Sequence, residues 1–212
     1  ATCESLNGLA LKGGSVTVAQ TVAAGQFTPA QGNANAFKTL PAFCRVAATL
    51  KPTADSDIKI EVWLPIAGWN NSLQSVGNGA WAGSIAYPAM ATALAAGFAT
   101  ASTDTGHVGG AGDFMIGHPE KLVDFGYRAV HEMTVAAKAT IAGYYGKAPS
   151  KSYWNGCSTG GRQAFMEAQK YPEDYDGILA GAPAIYASHL QAMQVWAWTM
   201  SHPQGNATLP TA

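Results

Sequence analysis

Five consecutive residues, Gly156-Cys157-Ser158-Thr159-Gly160, constrain the fold of this chain more than any other segment. They fit Gly-x-Ser-x-Gly, the pattern of a serine held on a sharp, strained turn between a strand and a helix. Both flanks are present: residues 152–155 (Ser-Tyr-Trp-Asn) read as a strand and residues 161–170 as a helix. The glycines on either side relieve crowding where strand, turn and helix meet. Such a turn lifts the serine oxygen to the carboxyl edge of the sheet, where ligands bind in open α/β folds. Ser158 is therefore the candidate nucleophile. The five letters alone are a weak signal, because glycine and serine are common; the strand before them and the helix after them give the pattern its weight.

The rest of the chain reads the same way. Val16, Val18 and Val22 share one face of an alternating run, and Phe43-Cys44-Arg45-Val46 begins another strand. Residues 58–64 alternate strictly and end at Pro65, and residues 73–76 lead into the turn Gly77-Asn78-Gly79. A helix over about 88–96 stops at Gly97, and residues 98–103 form a buried-type strand ending at Asp104. The longest helix is predicted over 124–145, with Val130, Met133, Ala137, Ile141 and Tyr144 at three-four spacing and Gly146 as its stop. A strand at 177–180 follows the helix at 161–170. Strands alternating with helices predict an α/β fold with a mainly parallel sheet covered by helices on both faces. No internal repeat or low-complexity linker interrupts it.

Composition narrows the function classes. Only 12% of residues are charged and the formal net charge is −1, so there is no basic footprint for nucleic acid. No uninterrupted apolar stretch approaches the length of a membrane span. The reading is a globular, soluble protein whose Ala1-Thr2-Cys3 start looks processed. Cys3, Cys44 and Cys157 are an odd number. They are ordinary small buried residues in a reducing compartment; in a secreted protein the leftover one needs a partner or is a free thiol, and composition does not choose between these.

An acyl-transfer site also needs backbone N–H donors where negative charge develops. The amide of Thr159, the residue after the candidate nucleophile, is one; the turn Gly77-Asn78-Gly79 is placed to give the other, although an ordinary turn would look the same. The general base is harder to find. In this pattern the acid and the histidine follow the serine. After Ser158 come one clear strand and a tryptophan-rich helical stretch. Asp174 and Asp176 precede that strand, and His189 and His202 flank Trp196 and Trp198. None makes a convincing base. Asp104 and His107 precede the serine and are read as organising their own loop, and His131 as a surface or packing residue of the long helix. No metal-ligand spacing occurs, so no metal or other cofactor is predicted in this chain.

Six segments together resemble the tannase and feruloyl esterase family, which also includes hydrolases of terephthalate monoesters. They are Phe43-Cys44-Arg45-Val46, Glu61-Val62-Trp63-Leu64-Pro65, Gly77-Asn78-Gly79, Ser102-Thr103-Asp104-Thr105-Gly106-His107, the elbow from Trp154 to Gln163, and Asp176-Gly177-Ile178-Leu179-Ala180-Gly181-Ala182-Pro183. A cysteine directly before the nucleophile makes the elbow segment specific. The resemblance implies an α/β-hydrolase fold, with Ser158 as nucleophile and Gly79 and Thr159 as oxyanion donors. It implies a Cys3–Cys44 disulfide and a bridge from Cys157 to a cysteine beside the catalytic histidine, beyond residue 212. It also implies a lid, often holding calcium, after Gly181-Ala182-Pro183. Residues 1–184 are then the N-terminal part of the catalytic domain, and 185–212 begin the lid. The acid, the histidine and most of the lid are expected on a second chain or a C-terminal part.

The expected function is a secreted serine esterase acting on small phenolic or other aromatic acid esters. A tannase on galloyl esters and an esterase of aromatic polyester fragments are alternatives that this sequence does not rank. A non-catalytic binding protein on a degenerate hydrolase scaffold is the alternative from another class. Trp81, Trp196 and Trp198 are compatible with an aromatic pocket, but tryptophans at such positions are more often core.

Overall fold

The computed structural model describes residues 1–29 and 33–202. Eight strands form one open sheet: β1 (Ala10–Leu11), β2 (Gly14–Val22), β3 (Phe43–Leu50), β4 (Ile58–Pro65), β5 (Ser72–Val76), β6 (Ala99–Thr103), β7 (Lys151–Cys157) and β8 (Gly177–Gly181). Their spatial order is β1-β2-β3-β4-β6-β5-β7-β8. The α/β architecture is as expected, but the sheet is mixed. β1 to β4 pair antiparallel, β4 pairs antiparallel with β6, and only β6, β5, β7 and β8 run parallel. The cause lies in the connections. Among the described residues no helix long enough to cross the sheet lies between β1 and β4, and parallel neighbours need a crossover.

Helices supply those crossovers later: α1 (Tyr87–Ala95), α2 (Pro119–Val123), α3 (Ala129–Tyr145), α4 (Thr159–Lys170) and α5 (Ala187–Ser201). α2 runs into α3 through a π-helical turn, Asp124–Arg128. The long helix thus begins five residues earlier than its apolar periodicity predicts, because Pro119 at its start is pre-set for a first turn. It ends as expected, with Gly146 in the left-handed conformation at φ 73°.

Two cores lie on opposite faces of the sheet. One joins Ile58, Ile60, Val62 and Leu64 of β4 to Val130, Met133, Ala137 and Ile141 of α3. The other packs Trp63 with Phe27, Phe37, Phe43 and the α1 residues Met90 and Leu94. The strict alternation of β4 therefore separates two cores, not core from solvent. Its one buried charge, Glu61, is fully answered: Arg45 donates to it through Nε at 2.9 Å and also through Nη2, Trp63 Nε1–H at 2.8 Å and Tyr87 O–H at 2.7 Å.

Cys3 and Cys44 are bridged, with their Cα atoms 5.4 Å apart, tying the N-terminal turn Glu4–Gly8 to β3 across 41 positions of sequence. Closing so long a loop restricts the unfolded chain, so replacing both cysteines by alanine should lower stability by ~2–4 kcal/mol. Denaturant unfolding of the double variant against the oxidised parent measures this; equal midpoints would refute it.

Glu167 of α4 is fully buried; its carboxylate finds no hydrogen-bond donor among the described residues, and its polar neighbour is the carboxylate of Asp174. Burial pushes its pKa up to about 9, and the nearby Asp174 charge adds to the shift. A raised folded-state pKa means the unfolded chain releases this proton first. The contribution of this one group to stability is then fullest below about pH 4.5, the ordinary value, and is lost as pH rises toward 9. Glu167→Gln keeps the shape and removes the titration. Melting temperatures of this variant across pH 5–9 should fall less steeply than those of the parent; parallel curves would contradict the assignment.

No side chain of α5 is buried, and Met193, Val195, Trp196, Trp198 and Met200 are each more than half exposed. Residues 203–212, the later part of the segment expected to begin a lid, lie outside the described residues.

Candidate active site

Strand order reverses at β5. From β5 the chain passes to β6 on one side, then crosses back over β5 to β7 on the other. The carboxyl ends of β5 and β7 therefore border the crevice where open α/β sheets bind ligands. The loop 77–81 leaves the end of β5, and Ser158 leaves the end of β7.

Ser158 has φ 59° and ψ −116°, a conformation that non-glycine residues adopt only when their surroundings enforce it. Those surroundings are visible. Ser158 N–H donates to Gly181 O at 3.0 Å, and Ser158 O accepts from Ala184 N–H at 3.1 Å, which locks the turn to the end of β8. A Cβ on Gly156 would strike the carbonyl of Gly160, and one on Gly77 would lie 2.5 Å from Gly160 Cα. The serine itself remains exposed.

The loop after β5 is pinned to α4 from several sides. Gly160 N–H donates to Asn78 O at 2.8 Å, and Thr159 Oγ1–H donates to Ala80 O at 2.7 Å. Gln163 accepts from Asn78 N–H at 3.1 Å and donates to Asn78 Oδ1 at 3.0 Å. The Asn78 amide in turn donates to Thr103 O and Ser84 O. Gly79 N–H donates to no acceptor among the described residues. Thr159 N–H stands in the first turn of α4, where a helix offers its amides no internal acceptor. The turn Gly77-Asn78-Gly79 is thus brought beside the elbow. The supporting role of Gln163, five residues after Ser158, is not readable from spacing.

A cleft of about 530 Å³ opens at Ser158, lined by Ala80, Trp81, Leu122, Phe125, Arg162 and Leu190 among others. Trp81 lines it as one wall; Trp196 and Trp198 on α5 are exposed and are not among its lining residues.

None of the five histidines hydrogen-bonds Ser158. His107 Nε2–H donates to Trp81 O at 2.7 Å, and its ring stacks on Phe114 with centroids 3.7 Å apart. His131 bonds Asp174 and stacks on Tyr171; His118 bonds Asp55. His189 and His202 lie against Tyr186 and Trp198 on and just beyond α5. Asp104 accepts backbone N–H bonds from Lys59 at 2.9 Å and Gly106 at 2.8 Å. Burial pushes its pKa up to about 7, partly opposed by those two donors. Asp104 and His107 thus organise loops, as their place before the serine predicts. Asp176 holds Lys151 and the Ser152 amide at the start of β7, at the opposite edge of the sheet. Cys157 is exposed and unbridged among the described residues. Among the described residues no group of three or more His, Cys, Asp or Glu side chains is placed to hold a metal ion, and no helix is long and apolar enough to cross a membrane.

The switch-point crevice, the strained serine and the glycine loop beside it define an α/β-hydrolase. Comparison with known proteins makes the assignment specific. The sequence profile described as "Tannase and feruloyl esterase" matches residues 44–212, and the chain belongs to that family. An uncharacterized esterase of Xanthomonas campestris pv. campestris is 40% identical over 214 residues, covering 100% of this chain and 37% of that protein. A probable feruloyl esterase B-2 of Aspergillus terreus is 40% identical over 165 residues, 78% of this chain and 31% of its own. Among solved structures, feruloyl esterase B from Aspergillus oryzae superposes with a TM-score of 0.88 at 35% identity, covering 94% of this chain and 40% of that one. Tannin acyl hydrolase from Aspergillus niger gives 0.68 at 25% identity, over 90% and 35%. The chain spans about a third of the length of the curated relatives it matches, 37% of one and 31% of the other. A separate second chain finds no support in these relatives, each of which is itself a longer polypeptide.

Proposed function

We propose that Ser158 is the nucleophile of a secreted serine esterase that cleaves phenolic or other aromatic acid esters through an acyl-enzyme. The observation carrying this reading is the enforced φ 59° backbone of Ser158 at the end of β7, facing a glycine loop with an uncommitted amide. In the mechanism, Ser158 Oγ attacks the ester carbonyl carbon and its proton passes to a histidine. The N–H groups of Gly79 and Thr159 hold the oxyanion. The C–O bond to the alcohol then breaks, the histidine protonates the leaving oxygen, and water hydrolyses the acyl-enzyme by the same steps.

The histidine and its acid partner come, in this reading, from polypeptide outside these residues, and Cys157 is bridged to a cysteine beside that histidine. Such a bridge would tether base and nucleophile within the ~2.6–3.2 Å needed for proton transfer. The Cys3–Cys44 disulfide supports an oxidising compartment. The aromatic acyl preference rests on family membership, and Trp81 and Phe125 in the cleft support it.

Labelling the full-length protein with a serine-directed phosphonate tests the reading. One adduct on the peptide carrying Ser158 is expected. An inert Ser158 would favour the other reading, a binding protein on a degenerate hydrolase scaffold.

A further inference from the structure

The aromatic wall beside Ser158 is held by a residue that the mechanism above does not use. Phe125 lies in the π-helical turn between α2 and α3. A π turn widens the helix and disturbs its regular i→i−4 ladder, so backbone carbonyls there are open to other donors. Arg162, on the first turn of α4 after Ser158, supplies those donors. Its Nη1–H donates to Gly126 O at 2.8 Å and its Nη2–H to Phe125 O at 3.1 Å. The same guanidinium lies over the Phe125 ring, 4.9 Å from the centroid. Phe125 in turn stacks on Trp81, with centroids 5.1 Å apart and planes 21° from parallel. Trp81 follows Gly79 by two residues, and His107 fixes its carbonyl. Arg162 makes no ion pair among the described residues, and burial disfavours its charge. The two carbonyls and the ring face are what compensate it.

We propose that Arg162 is a positioning residue for acyl specificity: it clamps the π turn so that Phe125 and Trp81 present a fixed aromatic wall to a planar aromatic acyl group at Ser158. The inference rests on the serine-esterase reading and deepens it. The wall adjoins the loop whose Gly79 amide would meet the carbonyl oxygen, so a planar acyl group bound there could lie against an aromatic face. An acetyl group, with nothing to stack, would gain little from the same wall.

The test compares ethyl esters of a 4-hydroxycinnamic acid and of acetic acid, which share a leaving group and differ only in acyl part. Full-length parent, Arg162→Gln, Arg162→Lys, Phe125→Leu and the Arg162→Gln/Phe125→Leu double variant are assayed. Arg162→Gln should lower the ratio of kcat/KM for the aromatic over the acetyl ester about tenfold, mainly through a higher KM. Phe125→Leu should give a similar fall, and the double variant no further fall, because both changes remove one wall. Arg162→Lys should recover part of the ratio, since an ammonium reaches one carbonyl but lacks the fork. A merely structural arginine would reduce both esters by one factor, and that result would overturn the proposal. So would an unchanged ratio, or fully additive losses in the double variant. If Arg162→Gln does not fold, Arg162→Lys and Phe125→Leu carry the same comparison, and unchanged ratios in both refute it. Loss of all ester hydrolysis and of Ser158 labelling in the parent would instead refute the underlying esterase reading. Labelling with an unchanged ratio refutes this inference alone.

Discussion

Ser158→Ala should reduce ester turnover by a factor on the order of 10⁶ in the full-length protein, while folding is almost untouched. The hydroxyl is exposed, so its removal leaves no buried group unsatisfied. Ser158→Gly should be equally inactive and yet differ from the alanine variant in stability. At φ 59° and ψ −116° a Cβ is strained, and alanine keeps that strain. Glycine removes it, at the cost of a more flexible unfolded chain, for a net gain of about 1 kcal/mol over alanine. Steady-state kinetics and denaturant unfolding of the two variants provide the measurement. Substantial turnover in clean Ser158→Ala protein would sink the nucleophile assignment. A glycine variant less stable than the alanine variant would mean that the turn is not strained as its backbone angles imply.

How much of this was legible in the sequence follows from the range of each interaction. The elbow is local: a strand, a serine between glycines and a helix occupy the consecutive residues 151–170, and the structure builds them there. The end of the long helix at Gly146 is local for the same reason. The strand order is not. β5 sits between β6 and β7, its neighbours across two crossovers, and nothing in residues 72–76 encodes that insertion. Alternation in β4 was legible but ambiguous, because period two describes a half-buried strand and a strand between two unlike cores equally well. The π turn escaped periodicity because one five-residue turn shifts a helical pattern too little to register. Arg162 and Gln163 look like ordinary polar residues of an amphipathic helix. Their partners, Gly126, Phe125 and Asn78, lie 36, 37 and 85 positions away, so only tertiary structure discloses their work.

Glycine 77 should prove the least replaceable residue of the loop beside Ser158, although Gly79 is the one with the proposed catalytic amide. The two differ in what a Cβ would meet. At Gly79 there is no heavy atom within 4 Å, and the backbone is not in the left-handed region. Gly79→Ala therefore keeps its N–H and should change stability by less than about 1 kcal/mol. At Gly77 the added carbon would sit 2.5 Å from Gly160 Cα, 3.0 Å from Trp154 Cζ2 and 3.1 Å from Gln163 Oε1. Two of these cannot yield cheaply. Gly160 Cα is backbone of the elbow helix, and the buried Trp154 ring is anchored by its Nε1–H bond to Gly160 O at 3.0 Å. The third is the acceptor of the Asn78 amide, so pushing it away also loosens the loop. Relief must come from separating β5 and its loop from α4, an overpacking cost of ~1–3 kcal/mol. The same separation carries Gly79 N–H away from Thr159 N–H. Two donors that must converge on one oxyanion lose their common focus, and one misplaced donor costs about 10²–10³ in kcat. Gly77→Ala should thus lose that much turnover while still binding substrate, whereas Gly79→Ala loses far less. Active-site titration with the phosphonate, followed by kcat on the titrated sites, separates damaged chemistry from a smaller folded fraction. Parent-like kcat per titrated site in Gly77→Ala would show that the contact between Gly77 and Gly160 does not set the geometry of the hole.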